Sequence, residues 1–405
     1  MDRSTFDLLA KGLVSTTPRR ALLALLAAAP FGVLSLDDAE GKKKNKNDHK
    51  KKRKGRKRRF CLNGTNYRTK RKRRKRRLRR QGAVRGRCPN PGPDTCTPVC
   101  PPTGCGADDG CGGECGCTAG NVCANGACEA CTVTCTGSPT ACGAELAAAL
   151  LIGGDIYVCP GLYEGNFSAG INGTAVYGAG SGDDPATNTI VDGANAARVF
   201  SVPQLTETTF SRLRIINGNA GNFSAGGAIN VDTVLFGTTA RDLTVDRCVF
   251  AGNKAGSGGA IATFSNLYLS NSQFTGNEAT FNFGGVLNLS GQTFAEVSTI
   301  TNCTFTDNSS ASWGGVIYSA NQTINVSAST FSQNTGLDGG AIAFDGSSSA
   351  NELNLDSATS ITNNTATDAG SPAGGILNNA PAVTNLNGAT VANNTPTNCT
   401  GVTGC

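Results

Sequence analysis

Two carboxylates four residues apart, Asp242 and Asp246, together with eighteen cysteines and one histidine, His49, are the features of this 405-residue chain that could do chemistry. Paired carboxylates serve glycoside hydrolysis as acid and base or nucleophile when they stand about 5–5.5 Å or about 6.5–9.5 Å apart. Here they flank the run Leu243-Thr244-Val245, whose alternation reads as a strand with both acids on one face. At about 3.3 Å per residue the two would lie about 13 Å apart, outside either window. Polysaccharide lyase chemistry asks instead for a calcium-binding carboxylate cluster and a Lys or Arg base. Beyond Lys254 the chain has no Lys, Arg or His, so such a base is excluded from its last 151 residues.

The cysteines point to a different chemistry. Thirteen fall between Cys88 and Cys159: Cys88, Cys96, Cys100, Cys105, Cys111, Cys115, Cys117, Cys123, Cys128, Cys131, Cys135, Cys142 and Cys159. Cys61 precedes this cluster; Cys248, Cys303, Cys399 and Cys405 follow it. Cys-x-Cys and Cys-x-x-Cys spacings suit either disulfides or a zinc or iron–sulfur site. The shortage of histidine, and a Gly/Pro-rich context with few large apolar side chains, favour disulfide staples formed in an oxidising compartment. Spacing alone leaves the pairing open. No cofactor and no metal are expected.

The charge is divided sharply along the chain that carries these residues. Residues 41–80 hold 24 Lys/Arg against one acid, and residues 81–405 hold 8 against 23, giving segment charges of +23 and −15. Blocks of like charge repel and bury no core, so the basic arm is expected to be disordered alone. An anionic cell-envelope polymer or lipid headgroup suits it as a partner. Specific nucleic-acid recognition is not expected, because only Phe60 and Tyr67 interleave the charges. Ahead of the arm, Arg19-Arg20 precede an apolar run from Ala21 to Leu36, interrupted by Pro30. That length is short for a membrane span of about 20 residues and reads as an export signal, by the general or the twin-arginine route.

From residue 210 onward two motifs alternate in phase. An apolar residue is followed three positions later by Asn at Ile216/Asn219, Phe250/Asn253, Phe274/Asn277, Phe305/Asn308, Phe331/Asn334, Ile361/Asn364 and Val391/Asn394, with spacings of 34, 24, 31, 26, 30 and 30. Gly-Gly-apolar-apolar segments begin at Gly226, Gly258, Gly284, Gly314, Gly339 and Gly374. A period near 30 denotes a solenoid. Aliphatic pairs such as Leu243/Val245, Leu267/Leu269 and Ile324/Val326 precede each Phe, and a small residue stands two positions before it: Cys248, Ser272, Cys303, Ser329, Thr359, Ala389. Each repeat then supplies about three short strands to one turn of a coil, stacking Phe on Phe. The Asn positions fall at a bend, where Asn tolerates unusual backbone angles and can bond to the Asn of the next turn. In this register Asp246 lies above Arg212 of the preceding turn, and a surface ion pair is the expectation. Cys248 and Cys303, two turns or about 9.5 Å apart, are beyond disulfide reach and are expected as buried thiols. Cys399 and Cys405 are expected to staple the terminal loop.

Phe-x-x-Asn paired with Gly-Gly-Ala-Ile, as in Phe250/Asn253 and Gly258-Gly-Ala-Ile261, resembles the repeat signature of the polymorphic outer membrane proteins of chlamydiae. The resemblance spans roughly residues 210–395, and it implies adhesion or surface display on a parallel β-helix. The chain ends at Cys405 without the long alternating region of that family's translocating barrel, so self-secretion is not part of the expectation. Upstream, the helix-forming Glu145 to Leu151 leads into Gly154-Asp-Ile-Tyr-Val-Cys-Pro-Gly-Leu-Tyr163, which resembles the entry of pectin-lyase-like β-helices, where a short helix caps the open end. Cys61-Leu-Asn-Gly64 and Gly86-Arg-Cys-Pro89 resemble the ends of a small cysteine-bounded module of some exported bacterial proteins, which implies a Cys61–Cys88 bridge.

The chain is thus read as an all-β protein with four parts: an export segment at 1–40, a basic, largely disordered arm with its small module at 41–87, a disulfide-stapled segment at 88–142, and a right-handed parallel β-helix with an N-terminal capping helix at 143–405. Its expected role is that of an exported, extracellular or cell-surface binding protein whose β-helix loops meet carbohydrate or protein. The alternative is a polysaccharide lyase or glycoside hydrolase of pectin-lyase-like shape.

Overall fold

The computed structural model describes the backbone at 58–62, 65–69 and 84–85, then residues 105–106 and 116–405 except 170–172, 204–206, 233–241, 291–295, 346–351, 369, 371–372 and 380–381. The chain forms two units, Met1–Asp94 and Thr95–Cys405. In the first, Arg58–Leu62 pairs antiparallel with Thr65–Thr69 on one side and with Val84–Arg85 on the other. This small sheet lies where the cysteine-bounded module is expected. The Cys61 side chain and all of Cys88 lie outside the described residues, as do Cys96, Cys100, Cys111, Cys115 and the apolar run at 21–36. Among the described residues no helix is long and apolar enough to cross a membrane.

In the second unit the repeats form a right-handed parallel β-helix. Three nine-stranded parallel sheets run its length, and a short five-stranded one joins them over the regular repeats. One turn shows the scheme: Leu267–Ser270 in the first sheet, Gln273–Thr275 in the second, Glu278–Ala279 in the short sheet and Leu287–Ser290 in the third. Side chains alternate, so Leu267 and Leu269 point inward while Tyr268 and Ser270 face out. Phe250, Phe274, Phe305 and Phe331 stack in register down the second sheet, with centroids 4.7, 5.0 and 4.6 Å apart. All four are fully buried, and each contributes about 1.5–3 kcal/mol by leaving water.

The asparagines form a second stack beside the phenylalanines. Asn253, Asn277, Asn308, Asn334 and Asn364 each donate from Nδ2 to the Oδ1 of the next, at 2.9–3.0 Å, ending at Asn394. Each backbone N–H also donates to that same oxygen, and the second Nδ2 hydrogen goes to a carbonyl of the preceding turn, as from Asn308 to Phe274 at 3.0 Å. Every polar atom of the interior members is therefore satisfied, the condition for burying an amide. The ladder closes on Asn398, whose Oδ1 accepts both Asn394 donors, and begins at the Gly218 N–H.

Two expectations are corrected here. Asn219 is not in the ladder: the strand register sets Ile215, not Ile216, against Phe250, so Gly218 faces Asn253. A Cβ at Gly218 would run into the Gly227 carbonyl, so no asparagine fits there. Nor do the ladder asparagines adopt left-handed angles. The residue before each does so instead: Gly252, Gly276, Asp307, Gln333, Asn363 and Asn393 all have φ between 56° and 64°. The bend belongs to that neighbour, and Asn is required for its hydrogen bonds.

The N-terminal end is sealed by a helix, Pro139–Ile152, which starts six residues earlier than its apolar pattern suggests because Ser138 caps it, accepting from Ala141 N at 3.3 Å. Leu146 and Leu150 are fully buried against the first turn. A hairpin, Asn121–Ala124 with Ala127–Ala130, precedes it. Disulfides Cys105–Cys123 and Cys117–Cys128 hold the hairpin, while Cys131–Cys159 and Cys135–Cys142 tie this segment to the first turn and to the capping helix. Cys399–Cys405 closes the terminal loop. Cys248 and Cys303 are free and buried, and burial pushes both thiols up to about 12.

Replacing Asn308 by Ala orphans buried donors on Asn277 and removes those to Asn334 and Phe274, and should lower stability by about 2–4 kcal/mol in urea unfolding. Asn219→Ala should change it by less than about 0.5 kcal/mol, as is usual for sites away from such networks. Under native, non-reducing conditions Cys248 and Cys303 should not react with a thiol reagent at neutral pH, and both should react after denaturation. Rapid native labelling of either would contradict the stacking.

Candidate functional site

The outer face of the first sheet is where the sequence places Asp242 and Asp246. Strand Leu243–Asp246 carries Asp246 as its last residue, and Asp242 immediately precedes it. The two carboxylates sit at opposite ends of one strand and engage different partners. Asp242 Oδ1 accepts from Asn266 Nδ2 at 2.9 Å. Asp246 accepts from Ser270 Oγ and Asn271 Nδ2, both at 2.7 Å, and pairs with Arg247. Burial alone would raise its pKa, but the Asn271 and Ser270 hydrogen bonds and the adjacent guanidinium outweigh burial and hold the carboxyl below the ordinary range. A carboxylate so engaged is a poor proton carrier near neutrality.

The expected neighbour is displaced by one position. Asp246 lies over Ser211, and Arg247 continues the register over Arg212. Both arginines have positive φ, 59° at Arg212 and 52° at Arg247, at the bend between the first and second sheets. The ion pair of Asp246 is therefore made within its own turn.

Around this strand, the hairpin and the first sheet enclose a groove of about 360 Å³, lined by Asn125, Tyr177, Thr209, Ser211, Arg212 and Asp246 among others. A shallower hollow of about 220 Å³ continues it past Arg247 and Asn271. Asn125 Nδ2 donates to the Tyr177 hydroxyl at 3.2 Å across the groove. Farther along, Asn325, Asn354 and Asn385 form an outward amide ladder, 3.0 and 2.7 Å between neighbours, so the sheet presents hydroxyls and amides along much of its length. Such a surface suits the hydroxyl groups of a partner. The sulfurs of Cys105, Cys117 and Cys128 also lie within 4.8 Å of one another, but each is committed to a disulfide and offers no thiolate to a metal.

A second surface feature went unread in the sequence. At the corner leading into the third sheet, Phe223 is 89% and Phe281 54% exposed, with ring centroids 5.3 Å apart. Phe283 stacks on Tyr318 at 4.3 Å, and Trp313 lies 6.1 Å from Phe283 and 6.4 Å from Tyr318. The signal was available in the spacing: Phe223 and Phe281 stand three residues before a Gly-Gly, and Phe283 and Trp313 one residue before. Its meaning needs the fold, which stacks those positions at one corner.

Asp246 supports a test by pH. A carboxyl with a depressed folded-state pKa contributes stability above its unfolded pKa and loses it as pH falls through the folded value. Asp246→Asn should therefore destabilise the protein at pH 7, and the deficit should shrink below about pH 3.9, the ordinary Asp value. A deficit unchanged by pH in denaturant melts would contradict the assignment.

Comparison with known proteins adds one match. The model of the Chlamydia polymorphic membrane protein repeat matches residues 247–263 and 302–320. Each segment runs from the bend before the second sheet, through Phe250 or Phe305 and the ladder Asn253 or Asn308, to the Gly-Gly strand. No curated protein and no solved structure matches the chain. The chain is a parallel β-helix that carries repeats similar to those of the Chlamydia polymorphic membrane proteins.

Proposed function

We propose that this is an exported protein of the bacterial surface or its surroundings, which binds carbohydrate or a protein partner on a rigid β-helix and performs no catalysis. The observation that carries the reading is the pair of repeat matches, whose family is by name one of membrane proteins. Disulfides at Cys131–Cys159 and Cys135–Cys142 support it, since such bridges persist in oxidising compartments. The apolar run at 21–36 behind Arg19-Arg20 supplies an export signal, and the basic arm at 41–87 supplies an electrostatic anchor to anionic envelope polymer or lipid. Against polysaccharide cleavage stands the engagement of Asp242 and Asp246 with different partners.

Fractionation with an antibody to the β-helix tests this. The protein should be reached by antibody or protease on intact cells, or appear in the medium, and the envelope-bound fraction should elute with moderate salt. Retention in the cytoplasm would overturn the proposal, as would release of unsaturated products or new reducing ends from acidic polysaccharides by the purified protein.

A further inference from the structure

Large aromatic rings left in water carry a cost in solubility, and a contiguous set of them marks a binding surface. The set at the third-sheet corner is held in place. Gly256 and Ser257 occupy the intervening turn between Phe223 and Phe281, and the two rings meet past those small residues. Thr280 Oγ1 donates to Asn222 Oδ1 at 3.0 Å, tying together the two loops that carry them. Trp313 packs on the apolar patch of Ala343, Ala373 and Leu377, and its side chain is hydrogen-bonded to Asp338. The backbone stacks these corner positions in order: Gly258 N donates to Phe283 O, Gly284 N to Trp313 O and Gly314 N to Asp338 O. The aromatic positions span three rises of the coil, about 14 Å at a strand spacing of about 4.8 Å.

The polar fringe narrows the partner. Asp338 and Asp368 stand close enough to interact, and burial together with the Asp368 charge pushes the Asp338 pKa up. From residue 255 to the end the chain has eight acids and no Lys, Arg or His. At the Asp338 edge an acidic polymer would meet like charge, while Lys254 is engaged by Glu278 at 2.9 Å and Arg198 by the Ala225 and Gly226 carbonyls. A pyranose presents an apolar C–H face and a hydroxyl edge, matching flat rings bordered by carboxylate acceptors.

We infer that the ridge of Phe223, Phe281, Phe283 and Trp313, backed by the buried Tyr318 and with Asp338 at its edge, is a binding site for a neutral oligosaccharide, whose sugar rings stack on the aromatics and whose hydroxyls donate to the carboxylate. The inference gives a ligand class and a location to the binding role proposed above and rests on that reading. Its test on purified protein is independent of where the protein resides in the cell, so either can fail alone.

Trp313 is the only tryptophan in the chain, and its fluorescence therefore reports on the ridge itself. Titration of the full chain with cellohexaose and with the hexamer of N-acetylglucosamine should shift or quench that emission for at least one of them, and oligogalacturonate should bind more weakly. Phe223→Ala and Phe281→Ala are surface substitutions that should keep the circular dichroism of the parent, and together they should weaken binding by about tenfold. Three results would each overturn the inference: no spectral change together with no retardation in gels containing neutral polysaccharide, binding unaltered in the folded double variant, or binding of oligogalacturonate as tight as that of the neutral sugars.

Discussion

A column of asparagine amides inside an apolar core sets the register of the regular turns, from Asn253 to Asn394. Each amide is buried, and burying an unpaired amide would cost about as much as one good hydrogen bond contributes several times over. The column tolerates this only because Asn253 through Asn394 supply one another's partners at a pitch equal to the rise of one turn. A slip of one residue would unpair three donors and two acceptors at once, as at the junction of Asn253 and Asn277. Apolar stacking cannot impose that penalty by itself, since Phe on Ile is nearly as good as Phe on Phe, as the change at Ile361 illustrates. The phenylalanines provide the bulk of the burial, and the asparagines make the arrangement unique.

With register fixed from inside, the outside is free to vary. The lengths between ladder positions range from 24 to 31 residues, yet the strands stay aligned because the extra residues leave the coil at its corners. The corner before the third sheet takes up part of this variation, and the return from the third sheet to the first takes up the rest. There the first glycine of a Gly-Gly reaches φ of 58° at Gly258 and 70° at Gly314, and a Cβ on the second would strike the next turn's carbonyl. Whatever precedes the glycines is thrust outward at a fixed height, and so Phe283, Trp313 and Asp338 form a column there without being neighbours in sequence.

The ladder was legible because Phe-x-x-Asn recurs with types that have one physical explanation, and the buried thiols followed from counting turns. Three details were not legible, each because of a shift of one residue. Ile216-Asn217-Gly218-Asn219 fits the motif in letters, but the pairing of Ile215 with Phe250 puts Gly218 in the ladder position. Arg212 and Arg247 occupy a left-handed bend that ordinary residue preferences assign to Gly or Asn, so no pattern placed Asp246 over Ser211. The motif assigns the unusual angles to the ladder asparagines, whereas the residue before each carries them, including Gln333, a poor candidate by type. At Gly218, Arg212, Arg247 and Gln333 tertiary hydrogen bonding overrode local preference. The aromatic ridge was hidden for another reason: its members are grouped by the coil and not by any period within the chain.

The two ends of the coil are treated differently, and the difference bears on which surfaces are open. A parallel β-helix leaves unpaired strand edges and an apolar cross-section at each end, a template for unwanted pairing. At the start, Pro139–Ile152 covers the cross-section with Leu146 and Leu150, and two disulfides tie the preceding segment to the first turn and to the helix. The hairpin then lies over the first sheet at Tyr177 and Ala175, walling one side of the groove beside Asp246. A hairpin of such small residues could not hold that position by apolar contact, since Val122 and Ala124 are its only fully buried side chains in that cluster. The Cys105–Cys123 and Cys117–Cys128 bridges supply the missing rigidity by restricting the unfolded chain. Covalent staples are thus concentrated where the repeat physics is weakest, ahead of the first turn, and the regular turns that carry the aromatic ridge need none.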